Sequence, residues 1–181
     1  MGNRNIEKPL LILGVGNKIQ RDDGIGVHMI EQLNRMALPE WVELFDGGTA
    51  GFDLIPVLSN RKKVIVIDAV KGSVPAGTLF KFTPEDLENE EHSYDSLHQL
   101  GIIESLQMAK LMDRAPDDCV IFAVQPGVIE WGLTLTDSVE SAIPKLTDAI
   151  LREVDQFAST LSGFPGDQDF KKMEGASEGK K

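Results

Sequence analysis

Three short stretches of this chain are apolar almost without interruption: PLLILGVG at residues 9–16, KVIVIDAV at 63–70 and CVIFAV at 119–124. A strand with one wet face alternates apolar and polar residues. A short run without alternation is a strand covered on both faces, and central parallel strands are the ones so covered. The chain must therefore build layers around a sheet.

What lies between the runs supplies the layers. Over residues 24–36, Ile25, Met29, Leu33 and Met36 fall on one helical face, and His28, Glu31 and Arg35 on the other, where His28 is expected to be solvated. Residues 98–112 are again helical. A last helix is expected over about 137–157, with Asp137 and Glu140 as a capping box and Pro144 marking a kink or restart.

WVELF at 41–45 reads as a short strand stopped by Asp46, Gly47 and Gly48, and the alternating GTLFKF at 77–82 as a strand at a sheet edge. Residues 51–60 suggest a short helix perturbed by Pro56. Residues 84–95 hold six carboxylates and no Lys or Arg and read as a solvated loop, with His92 a surface residue inside it. Strands alternating with helices give a single α/β domain, a mainly parallel twisted sheet with helices on both faces, over residues 1–161. The polar, glycine-rich residues 162–181 are expected to be a disordered tail.

A net charge of −11 disfavours nucleic acid and anionic membranes as partners. The first eight residues are polar and read as neither leader nor anchor. One cysteine, Cys119, excludes an intramolecular disulfide and suits a reducing, cytoplasmic compartment; opening a buried strand, it is expected to be an inert core thiol.

The segment GNKIQRDDGIG, residues 16–26, follows the first apolar strand as a phosphate-binding turn would. It lacks the third glycine of a dinucleotide fingerprint and the lysine of a P-loop, and two aspartates stand where the anion would dock. Charges of like sign at about 4–6 Å repel an anion by several kcal/mol once water is excluded. Capping of the helix accounts for Asp22. It accounts less well for Asp23, whose alternative is a carboxylate in the crevice beyond the strand ends, where open α/β sheets keep their sites.

Asp68 ends the second apolar run, as a loop cap or a functional carboxylate. His98 stands at the start of a helix, where a structural or surface role is equally open. Asp23, Asp68 and His98 map to one edge of the expected sheet, and two carboxylates with an imidazole suit a divalent transition metal with open positions. No G-x-S-x-G elbow, H-E-x-x-H helix or cysteine pair suggests another hydrolytic site.

Five stretches then occur in a familiar order: GNKIQRDDGIG (16–26), DGGTAG (46–51), VIVIDAV (64–70), SLHQLG (96–101) and QPGVIEWGLTLT (125–136). In these the chain resembles the hydrogenase maturation endopeptidases, over roughly residues 9–157. The resemblance implies a phosphorylase/hydrolase-like α/β fold and an endopeptidase that cuts a short C-terminal extension from the large-subunit precursor of a [NiFe] hydrogenase. It implies that Asp23, Asp68 and His98 engage nickel and carry catalysis, and that the nickel arrives on the substrate rather than residing in the enzyme. Some relatives carry Glu where this chain has Asp23, about one methylene longer in reach. Asp46 would then hold the substrate tail or only a tight turn. The alternative is a metal-binding accessory protein for hydrogenase assembly that does not cut.

Overall fold

The computed structural model describes residues 8–89 and 97–161, the side chains of 87–89 and 97–100 excepted. The three apolar runs become β1 (Leu10–Val15), β3 (Lys63–Ala69) and β5 (Asp118–Val124). With β2 (Val42–Gly48) and β4 (Leu79–Phe82) they form one sheet of order β2-β1-β3-β5-β4, parallel except for β4, which lies antiparallel at the edge. The helices are α1 (Ile25–Leu33), α2 (Ile55–Leu58), α3 (Pro84–Asn89), α4 (Leu97–Leu111), α5 (Asp137–Glu140) and α6 (Ile143–Ala158).

Alternation along the strands divides the core in two. Leu10, Ile12, Ile65, Ile67, Val120 and Phe122 face α1 and α6, meeting Ile25, Met29, Leu33, Leu146 and Ile150. Leu11, Leu13, Val64, Val66 and Ile121 face the other way, onto Leu54, Leu58, Ile102 and Leu106. Each such side chain contributes about 1.5–3 kcal/mol on burial, so neither face is stable uncovered. Among the described residues no helix is long and apolar enough to cross a membrane.

The strand order also locates the site. The chain leaves β1 toward β2 on one side, then returns past β1 to lay β3 on the other, so the connections diverge at the carboxyl ends of β1 and β3. Such a switch point leaves a crevice in an open α/β sheet. Two glycines bring α1 directly onto it. A Cβ at Gly14 would stand 2.2 Å from the Gly26 carbonyl oxygen, and one at Gly26 would stand 2.2 Å from that of Val15 and 2.4 Å from that of Ile67. Helix and strands touch backbone to backbone.

Three local expectations are revised. The strand beginning near Trp41 does not stop at Asp46: β2 runs to Gly48 through a register shift between Gly14 and Val15, because a bulge absorbs the glycines and Gly48 takes φ +48°. Residues 84–89 are helix α3, not loop, because Thr83 and Asp86 cap each other. The Thr83 N–H and Oγ1 donate to Asp86 Oδ2 at 2.7 and 2.9 Å, and the Asp86 N–H donates back to Thr83 Oγ1 at 3.3 Å. The rest of the expected loop, with His92, lies outside the described residues, as does the tail from 162. Asp137 does not cap α5, whose N-cap is Thr136, and the chain restarts as α6 with Pro144 in its first turn.

At the opposite edge of the sheet, α6 is pinned by buried Glu153. Its carboxylate accepts from Lys63 Nζ at 2.8 Å and Lys81 Nζ at 2.5 Å, and Lys63 also reaches Asp118 at 2.6 Å. Burial pushes the Glu153 carboxyl up, but the hydrogen bonds from Lys63 and Lys81 outweigh it and hold the group below its ordinary 4.5. A depressed carboxyl contributes stability above its unfolded value and loses it as the pH falls through the folded one. The melting temperature is therefore expected to drop as the pH falls below 4.5. In Glu153→Gln that acid limb should flatten while neutral-pH stability falls by about 1–3 kcal/mol; an unchanged limb by calorimetry would contradict the assignment. Gly26→Ala is expected to cost about 3 kcal/mol or more, since backbone atoms cannot yield as side chains do; a wild-type melting curve would refute the contact.

Candidate functional site

Between β1 and α1 the chain makes a single 3-10 turn, Arg21–Gly24. A short turn rather than a loop follows from the packing on both sides. Gly16 has φ +124°, and a Cβ there would stand 1.9 Å from the Asp23 carbonyl oxygen, so only glycine lets the strand exit fold beneath the turn. Gly26 then starts α1 against the strands. The turn packs on β3, the strand carrying Asp68.

Within the turn the two aspartates do different work. Asp22 is completely buried and does not cap α1, whose N-cap is Gly24 with no side-chain cap. Its carboxylate turns away from its own helix toward residues 125–136. Oδ2 accepts from the Gly127 N–H at 2.8 Å, the Val128 N–H at 2.9 Å and Thr136 Oγ1 at 2.8 Å; Oδ1 accepts from the Thr136 N–H at 2.7 Å. Burial alone would raise this carboxyl, but the donors from Thr136, Val128 and Gly127 outweigh it and hold it below the usual carboxylate range. The expected helix cap is thus a long-range clamp. Local capping is not needed here because the 3-10 turn carries the chain into α1.

Asp23 is 7 % exposed, and its Oδ2 accepts from the Asn17 N–H at 2.9 Å. Asp68 is 2 % exposed, and its Oδ1 accepts from the Ala69 N–H at 2.8 Å. Two and four residues after Val66 and Val64, Asp68 lies on the α4 side of the sheet by alternation. The fold thus brings both candidate carboxylates to the carboxyl ends of two neighbouring strands, one in the turn after β1 and one at the end of β3.

His98 is the second residue of α4. The C-terminal end of α4 lies near the amino edge of the sheet, where the Asn60 N–H donates to the Arg114 carbonyl. The helix has 15 residues, and at about 1.5 Å each these carry its first turn back to the carboxyl edge. There Ser105 Oγ donates to the carbonyls of Gly101 at 2.6 Å and Gly51 at 3.3 Å, tying α4 to DGGTAG. The backbone of His98 therefore starts from the same edge as the two aspartates; its side chain lies outside the described residues. Among the described residues, no three His, Cys, Asp or Glu side chains gather as a metal site.

The other candidates sort by their surroundings. Asp46 Oδ1 accepts from the Gly48 N–H at 2.9 Å, which makes it part of a tight turn. Cys119 packs in the core beneath α2 and α4, and burial pushes its thiol up to about 12, so it is inert as expected. His28 is not solvated. It is half-buried, its Nε2 enclosed and without a hydrogen-bond partner among the described residues, because residues 133–135 lie across that face of α1. Burial, and then the charge of Lys18, lower its pKa below the ordinary 6.5.

Fold and site define an α/β protein with two buried carboxylates at the switch point of a mainly parallel sheet. The family model described as hydrogenase maturation protease matches residues 27–153, a stretch that contains Asp68 and His98 and begins after Asp23. The chain is 34 % identical over 145 residues to the hydrogenase 2 maturation protease of Escherichia coli, covering 78 % of this chain and 88 % of that one. It is 32 % identical over 156 residues to the hydrogenase expression/formation protein HupD of Bradyrhizobium diazoefficiens, covering 84 % and 81 %. The solved structure of the hydrogenase maturating endopeptidase HybD from E. coli matches with a TM-score of 0.74 at 31 % identity, covering 81 % of this chain and 92 % of that one. The chain belongs to the hydrogenase maturation protease family, and by that membership it is a hydrolase of peptide bonds.

Proposed function

We propose that this protein is the endopeptidase that removes a C-terminal extension from the nickel-loaded large-subunit precursor of a [NiFe] hydrogenase, in the cytoplasm. The observation that carries the reading is that Asp23, in the turn after β1, and Asp68, at the end of the neighbouring β3, are both nearly fully buried at the carboxyl edge of the sheet. An oxygen, oxygen and imidazole donor set suits nickel. Asp23, Asp68 and His98 are the proposed ligands.

In this reading nickel is cargo of the substrate, arriving on the precursor's own thiolates. The three side chains complete its coordination and so fix the scissile bond in the crevice, which converts recognition into orientation. The ion then supplies Lewis acidity to the scissile carbonyl or a bound hydroxide. An enzyme that reads the metal this way cuts only a precursor whose nickel is in place.

Intact-mass analysis of a purified large-subunit precursor, with and without nickel, tests the reading. Loss of a C-terminal peptide is expected only in the nickel-loaded sample, and a folded His98→Ala protein should leave that sample uncut. A nickel-loaded precursor that binds and keeps its full mass would point instead to a non-cutting accessory protein. Full cleavage by folded His98→Ala would remove the histidine from the mechanism.

A further inference from the structure

We propose that Asp22 is a positioning residue for catalysis, which sets the place of the Asp23 carboxylate by clamping its turn to residues 125–136; the inference rests on the reading of Asp23 as a ligand. Asp22 itself is fully committed. Both of its oxygens are taken up by four donors from 105 to 114 residues away in the chain, and it is entirely buried. Such an anion neither reaches a substrate nor relaxes without stranding donors.

The first two residues of the turn also bond to the same loop through their backbone. The Arg21 N–H donates to the Gly132 carbonyl at 3.0 Å and the Asp22 N–H to that of Val128 at 3.3 Å. Arg21 sits at φ +50°, a conformation that costs a non-glycine residue energy, and its side chain is held by Glu130 at 2.9 Å and the Thr134 carbonyl at 3.3 Å. Asp23 follows immediately, its carbonyl wedged against Gly16, and its side chain takes the Asn17 N–H.

The loop also bonds to the segment that follows the second carboxylate's strand. It begins at Gln125, whose Oε1 accepts from the Gly72 N–H at 2.7 Å in the segment leaving β3, just beyond Asp68. Residues 125–136 therefore hold the exits of both carboxylate-bearing elements, and Asp22 is the point at which the Asp23 side is fastened. This gives QPGVIEWGLTLT a task that no ligand or nucleophile among its residues would explain.

The test is Asp22→Asn in the full chain. In either orientation the amide turns an N–H toward at least one of the four donors. Circular dichroism and a melting curve establish that the variant is folded at the assay temperature. Amide hydrogen exchange at Asn17 then reports whether Asp23 has been released, and steady-state cleavage of nickel-loaded precursor reports the consequence. Expected are faster exchange at Asn17, Gly127, Val128 and Thr136 and a kcat lower by about 100-fold with KM unchanged, the signature of misplaced rather than missing groups. Should Asp22→Asn not fold, Thr136→Val, which removes one donor and keeps the carboxylate, is expected to move both readouts in the same direction by less. Wild-type exchange at Asn17, or wild-type kcat, in a folded variant overturns the proposal. If the wild-type protein cuts no precursor, the functional reading falls, and exchange at Asn17 alone decides whether Asp22 positions Asp23.

Discussion

Everything at the carboxyl edge of this sheet depends on the contact between Gly26 and the carbonyls of Val15 and Ile67, 2.2 and 2.4 Å from where a Cβ would be. A helix carrying any side chain at that point would stand off from the sheet. With glycine, α1 begins directly above the gap between β1 and β3, and the turn before it is compressed into four residues. The compression is what places two aspartates, consecutive in sequence, over the end of a third strand. Gly14 and Gly16 serve the same approach from below, so the glycines that look like a phosphate cradle instead remove bulk between backbone elements.

The site is consequently assembled by three systems of different strength. The sheet and its two apolar layers fix where β1 and β3 end. The Asp22 hydrogen bonds fix the turn against a distant loop, with charge-assisted donors about twice as strong as neutral ones. The approach of α4 to Gly51, through Ser105, ties the helix that carries His98 to DGGTAG. Ion pairs around Glu153 lie at the other end of the strands, holding α6 and the edge strand where they bear on stability and not on chemistry.

The legible part of this fold was the part that depends on local pattern. Continuous apolar runs gave the buried strands, alternation gave the edge strand, and helical spacing gave α1 and α4. What local pattern does not show depends on distant partners or on short signals within polar runs. Asp22 looks like a helix cap in sequence because its true donors are more than a hundred residues distant. His28 was placed in water because nothing in its own helix reveals that residues 133–135 cover it. The Thr83–Asp86 box, by contrast, was visible, and six carboxylates in a row of polar residues masked it. Asp23 and Asp68 were legible as candidates because a carboxylate at the end of an apolar strand, or one too many at a helix start, is an anomaly that local rules do not absorb. The imidazole was legible only as a residue at a helix start.

The thiol of Cys119 has a further consequence. It is the chain's only sulfur that could become an anion, and burial keeps it protonated at any physiological pH, pushed up to about 12. The protein can therefore offer a metal oxygen, imidazole and thioether donors, but no ready thiolate. A metal ion held by thiolates elsewhere would meet no competing thiolate on this chain.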